Sequence, residues 1–274
     1  NENCFFDLVP PRFLAEYCGM RVEITKHVLE TYEKPENYDY LLKMTKLLTK
    51  ISHNELNIDL SSLNSVMHRE NARRFRKKAE NLPKYISYNL FGTKTGRLST
   101  KKGSFPIMNI NKEYRSIVKP KNDYFLELDF NAAEVRTLLA LAGSKQPRMD
   151  IHAWNLAQGM GDNVESREDA KKAFFSWLYD EKKINNNLEE IYHRNQVRES
   201  HFKGNKVTTP FGNTMEADYH HALSYLIQGT TAEMVLRQAI KIDEFLKEHK
   251  SFISFTVHDS VIVDMPADET HLAR

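Results

Sequence analysis

The stretch SFISFTVHDSVIVDM, residues 251–265, constrains the fold more than any other part of the chain. Two apolar arms, 252–257 and 261–265, flank a His-Asp-Ser centre. Arms of this length and composition predict a tight β-hairpin with the carboxylate of Asp259 at or beside its tip. Aspartate is also a common turn former. Asp259 is therefore either ordinary turn chemistry or a mounted metal ligand, and only partners elsewhere in the chain can decide between them.

One such partner is Asp129. The segment DYFLELDF (123–130) alternates and is apolar enough for a buried strand, and NAAEVRTLLALAG (131–143) then switches to helical period and stops at Gly143. Asp129 falls where the strand gives way to the helix. Two carboxylates on neighbouring strands of one sheet can hold two Mg²⁺ about 3.5–4 Å apart, the arrangement used for in-line phosphoryl transfer. The alternative at this point is that Asp129 caps the following helix.

The third feature is a predicted helix, SREDAKKAFFSWLY (166–179). Arg167, Lys171, Phe175 and Tyr179 recur at every fourth residue, so they stack along one helical face. The stripe offers two cations followed by two aromatic rings. Cations suit the oxygens of a triphosphate and flat rings suit a sugar and base, so a nucleotide could lie along it. An amphipathic helix with a basic end is the plainer reading of the same residues.

The rest of the chain sets bounds. Helical spacing predicts helices over 12–32 and 38–51, the second with a stripe of Leu41, Met44, Leu48 and Ile51. Residues 61–80 are expected to form a serine-capped helix that becomes basic, 89–110 to be mostly loop, and 219–249 to be a long helix interrupted near Gln228-Gly229. A net charge of +2 over 274 residues does not by itself indicate a polyanion partner, but residues 68–84 are locally strongly basic. Cys4 and Cys18 are the only cysteines and have no partners at metal-ligand spacing, which argues against a disulfide scaffold or a zinc site and fits a reducing cytoplasm. No apolar run approaches membrane-spanning length, so no membrane partner is expected.

LDFNAAEVRTLLALAG resembles motif A of the family A (polymerase I-like) DNA polymerases, the R-x3-K-x3-F-x3-Y helix resembles their motif B, and VHDS resembles motif C. TGRLS (95–99), DIH (150–152) and IQGTTAEM (227–234) are similar to further signatures, and all six stand in the family's order. The chain is identified on these residues as similar to a divergent phage-type member or a fragment of one.

The resemblance implies an α+β fold with right-hand architecture: an antiparallel palm sheet with helical fingers and a helical thumb. The expected division is a thumb-like segment over 1–88, palm over 89–149, fingers over 150–215 and palm again over 216–274. It implies a template-directed DNA polymerase that adds deoxynucleoside triphosphates to a primer-template, with two Mg²⁺ ions for which Mn²⁺ can substitute. Asp129 and Asp259 would hold the metals with the backbone carbonyl of Phe130. Arg167, Lys171 and His152 would contact the triphosphate, with Lys171 also protonating the leaving group. Phe175 and Tyr179 would face the sugar and base. Glu134 with Tyr179 would exclude a ribose 2′-hydroxyl, and Arg97, Gln228 and His258 would contact the primer-template.

The chain departs from the pattern at several places. Ser260 stands where motif C usually has Glu, Asp180 where Gly usually follows the tyrosine, and His220 and Ser224 where Arg and Asn are usual. Ser260 resembles the single-subunit phage RNA polymerases, so a ribonucleotide-using enzyme is one alternative; TGRLS, IQGT and Glu134 argue against it. A non-catalytic DNA-binding accessory protein on the same scaffold is the other.

Overall fold

The hairpin expected over 251–265 is the middle and one edge of the central sheet. In the computed structural model, which describes residues 9–33, 37–160 and 164–273, it comprises Phe252–Val257 and Ser260–Met265. Cys4 lies outside the described residues.

The chain forms two units, Asn1–Tyr38 and Asp39–Arg274. The first contains α1 (Leu14–Thr31), none of whose residues is buried. The second contains the following elements. α2 (Tyr38–Ser52), from Asp39 onward, buries Met44, Leu47, Leu48 and Ile51, close to the expected stripe. β1 (Asn57–Ile58) pairs with β4 (Val118–Lys119), and β2 (Tyr88–Asn89) with β3 (Ser99–Thr100). α3 is Glu70–Ala79. The expected serine cap at 61 is corrected: a 3₁₀ segment, Leu60–Val66, comes first, and its cap is the Asp59 side chain, which accepts from the Ser61 amide.

β5 (Tyr124–Asp129) leads into α4 (Ala133–Leu141), and Gly143 takes a positive φ just beyond it, as expected of a helix stop. α5 (Ile151–Ala157), α6 (Arg167–Tyr179), α7 (Asn186–Tyr192) and α8 (Arg194–His201) follow. A small meander of β6 (Phe202–Lys203), β7 (Lys206–Thr208) and β8 (Thr214–Glu216) precedes the long α9 (Tyr219–Phe245). β9 and β10 are the two arms of the hairpin.

The central sheet is antiparallel, in the order β5-β10-β9. β5 was expected to be buried, yet none of its residues is, because it is an edge strand and presents Glu127 and Asp129 to solvent. β10 lies between two strands and is buried throughout.

Two apolar cores meet along α9. One gathers the central sheet, α2 and the second half of α9 (Val235, Leu236, Ala239, Ile240). The other gathers α4 to α8 and the first half of α9 (Ala222, Leu223, Leu226, Ile227). The interruption expected at Gln228-Gly229 is absent, and α9 runs straight through. Gly229 is there for space: a Cβ would lie 3.0 Å from Met215 Cε and 3.4 Å from Thr209 Cγ2. The glycine lets the neighbouring strands approach the helix backbone.

Candidate active site

β5 ends on Asp129, and β10 places Ser260 directly opposite it. The two residues between β9 and β10 are His258 and Asp259, so Asp259 is carried on the tightest kind of turn. His258 has φ 55°, the left-handed conformation that such a turn requires of its first residue. The two aspartates thus reach one place from strands that are neighbours in space and far apart in sequence.

They line one end of a cleft of about 770 Å³, together with Arg97, Glu134, His152, Arg167, Lys171, Phe175 and His258. Phe130, Tyr179 and Gln228 do not line it. The Phe130 ring packs against the first core. Tyr179 and Gln228 stand one layer back: the Tyr179 hydroxyl donates to Glu134 (2.8 Å), and Gln228 donates to Ser224 (3.1 Å) and also interacts with the Tyr179 hydroxyl. Burial first, and then the charge of Glu134, raise the Tyr179 pKa, so the phenol stays protonated and donating.

α6 lines the same cleft because its sequence has two kinds of face. Ala170, Phe174, Trp177 and Leu178 are buried in the second core, while Arg167 and Lys171 remain exposed. Ser166 caps the helix by accepting from the Asp169 amide (3.1 Å). Further along the stripe, Phe175 stacks on Tyr179 with ring centroids 6.1 Å apart and planes 14° apart.

The two arginines of the cleft already have partners. Arg167 donates from Nε and Nη2 to the two oxygens of Asp150 (3.0 and 2.8 Å) and from Nη1 to Glu168 (2.5 Å). Asp150 is also the cap of α5, accepting from the His152 and Ala153 amides. The Arg167 hydrogen bonds, and then the Ala153 amide, hold the Asp150 carboxyl down to about 2. Arg97 pairs with Glu134. His152 is buried and its Nδ1 has no hydrogen-bond partner; burial, chiefly, lowers its pKa, so it presents a neutral imidazole. His258 is also shifted down, by burial and then by Arg115, which donates to its Nε2 (3.4 Å).

The acidic end is different. Asp259 has its pKa raised, first by burial and then, after the opposing effect of its own backbone hydrogen bond, by the charge of Asp129. Among the described residues, no ion pair reaches either aspartate. An all-oxygen donor set with uncompensated negative charge suits a hard divalent cation. Among the described residues there is no group of three or more His, Cys, Asp or Glu side chains placed to hold a metal ion. Two carboxylates alone suit Mg²⁺, which keeps several of its waters, better than zinc, which prefers four protein ligands in structural sites.

Two residues of this neighbourhood were not singled out from the sequence. Asp150 stood within DIH, but its clamp on Arg167 spans 17 positions and has no local signature. Glu127 had one: on a strand the side chains alternate, so Glu127 lies on the same face as Asp129.

No family model and no curated protein matches the chain. Among solved structures it is similar to the POL domain of Pol1 from M. smegmatis, in complex with DNA primer-template and dNTP. The TM-score is 0.67 at 15% identity, over 84% of this chain and 64% of that one. The fold is polymerase-like. The chain spans less than two thirds of the length of that neighbour. In the described residues no helix is long and apolar enough to cross a membrane.

Proposed function

We propose that the chain acts as a template-directed DNA polymerase: a primer 3′-hydroxyl attacks the α-phosphate of a deoxynucleoside triphosphate, a phosphodiester bond forms and pyrophosphate leaves. One observation carries the reading. A single cleft is lined both by two aspartates that have no ion-pair partner among the described residues and by Arg167, Lys171 and Phe175 of the α6 stripe.

Asp129 and Asp259, with the Phe130 carbonyl, would hold two Mg²⁺, or Mn²⁺ in their place. Bound there, the metals would acidify the attacking hydroxyl and neutralise charge on the phosphates. Lys171, Arg167 and His152 hold the triphosphate, and Lys171 gives a proton to the departing pyrophosphate. Phe175 faces the sugar, and Tyr179 backs it. Glu134, fixed by Arg97 and Tyr179, fills the space a ribose 2′-hydroxyl would need. Arg97, Gln228 and His258 donate to minor-groove acceptors that all correct base pairs share. Residues 1–88 would serve as thumb, 89–149 and 216–274 as palm, and 150–215 as fingers. Binding to primer-template would weaken with salt as counterions are released.

Primer extension with Mg²⁺ tests this. Asp129→Asn or Asp259→Asn should lower the rate on the order of 10³-fold or more, the scale of losing transition-state charge stabilisation, while primer-template binding persists. Extension that survives both substitutions overturns the assignment. Equal use of ribo- and deoxyribonucleotides overturns the role given to Glu134.

A further inference from the structure

The acidic end of the cleft has a neighbour that the proposed mechanism does not use. Glu127 and Asp129 lie on one face of β5, and the register sets Ile262 and Ser260 of β10 opposite them on that same face. The Ser260 side chain turns toward both acids. Its Oγ is 2.8 Å from Asp129 Oδ1 and 3.2 Å from Glu127 Oε1, and the residue is only 6% exposed. The two carboxylate oxygens are therefore no further apart than those two distances laid end to end.

A hydroxyl has one proton, so it cannot satisfy both acceptors fully. The shorter contact gives it to Asp129, which fixes that carboxylate and leaves the charge of Glu127 beside it. Among the described residues, no lysine, arginine or histidine forms an ion pair with Glu127, Asp129 or Asp259. Three carboxylates without an ion-pair partner among the described residues, two of them sharing one hydroxyl, point to a ligand that is positive and hydrated.

We infer that Glu127 is an outer carboxylate of the cation site, and that Ser260 is a positioning residue that fixes Asp129 beside it. The inference rests on the reading of Asp129 and Asp259 as the carboxylates that hold the cation. Glu127 does not line the cleft. Its contribution is to accept hydrogen bonds from water on the cation, which Mg²⁺ and Mn²⁺ retain when few protein ligands reach them. The site then draws on three carboxylates, one of them held one water away.

Mn²⁺ alone, titrated into the full chain and followed by the electron paramagnetic resonance of the free ion, is the test. Glu127→Gln should weaken Mn²⁺ binding by about tenfold, the lower end of what a supporting ligand contributes. Its thermal unfolding should not change, because the side chain is exposed. Ser260→Ala should weaken binding to a similar degree, and Ser260→Thr, which keeps the hydroxyl, should retain it. Glu199→Gln, an exposed charge on α8, is the control for the loss of one negative charge and should leave binding as it is. If Glu127→Gln binds Mn²⁺ as tightly as the unmodified chain while Asp259→Asn does not, the inference is overturned and the two-aspartate reading stands. If neither Asp129→Asn nor Asp259→Asn changes Mn²⁺ affinity, that reading fails and the inference fails with it.

Discussion

The two ends of the cleft treat charge in opposite ways. On α6, Arg167 is held by Asp150 and Glu168, and on the loop before β3 Arg97 is held by Glu134, so these positive groups are balanced by acids of the protein itself. At the hairpin end, Asp129 and Asp259 face each other without an ion-pair partner among the described residues. The contrast teaches what each end awaits. Under the proposed function the hairpin end would take up a cation, and the α6 end would trade or share its internal partners with an anion.

Four substitutions separate the two ends, in descending order of effect. Lys171 has no ion-pair partner among the described residues, unlike Arg167, so Lys171→Ala should lower the extension rate more than Arg167→Ala does, by about 10²-fold or more, the range of a lost general acid. Arg167→Ala should cost less in the same single-turnover measurement; the reverse order would break the contrast drawn between them.

Asp150→Ala comes next. It removes the clamp on Arg167 and the cap of α5, so we expect KM for the nucleotide to rise several-fold and stability to fall by about 1 kcal/mol. The sign with pH follows from the direction of the shift. The folded carboxyl sits at about 2, below its ordinary 3.8, so its stabilisation is present above the ordinary value and lost as pH falls toward 2. Unfolding followed between pH 5 and 2 should show the variant and the unmodified protein converging at the acid end.

The smallest effect should come from Asp259→Asn on stability without metal. Burial and Asp129 both disfavour the ionised form, so removing the charge should raise the unfolding temperature slightly at neutral pH. Saturating Mg²⁺ should favour the unmodified protein instead. A fall in stability without metal would show that the hairpin end is already compensated.

Features with a short period were legible in the sequence. The two-residue alternation of the hairpin arms located Asp259, and the four-residue spacing along 167–179 put two cations and two rings on one helical stripe. What could not be read were the long-range pairings. Nothing local announces that Asp150 will grip Arg167, that Ser260 will reach Glu127 across the sheet, or that β5 will be an edge strand. Gly229 misled for the same reason: a glycine in a helical pattern looks like a break, and only the approach of Met215 and Thr209 explains it. The boundary at 61 failed because Asp59, a better cap two residues earlier, captured the Ser61 amide.

The pairing of β10 with β5 has a consequence for how the molecule comes into being. Ser260 meets Asp129 across 131 positions of chain, and closing so long a loop costs about 4 kcal/mol of chain entropy before any contact returns it. Contacts that distant form late in folding, after local helices such as α6 and α9. The cation-and-ring stripe of α6 can therefore exist in a chain that is still incomplete, whereas the acid pair cannot. The acid pair arrives in one step, with the last strand to enter the middle of the sheet.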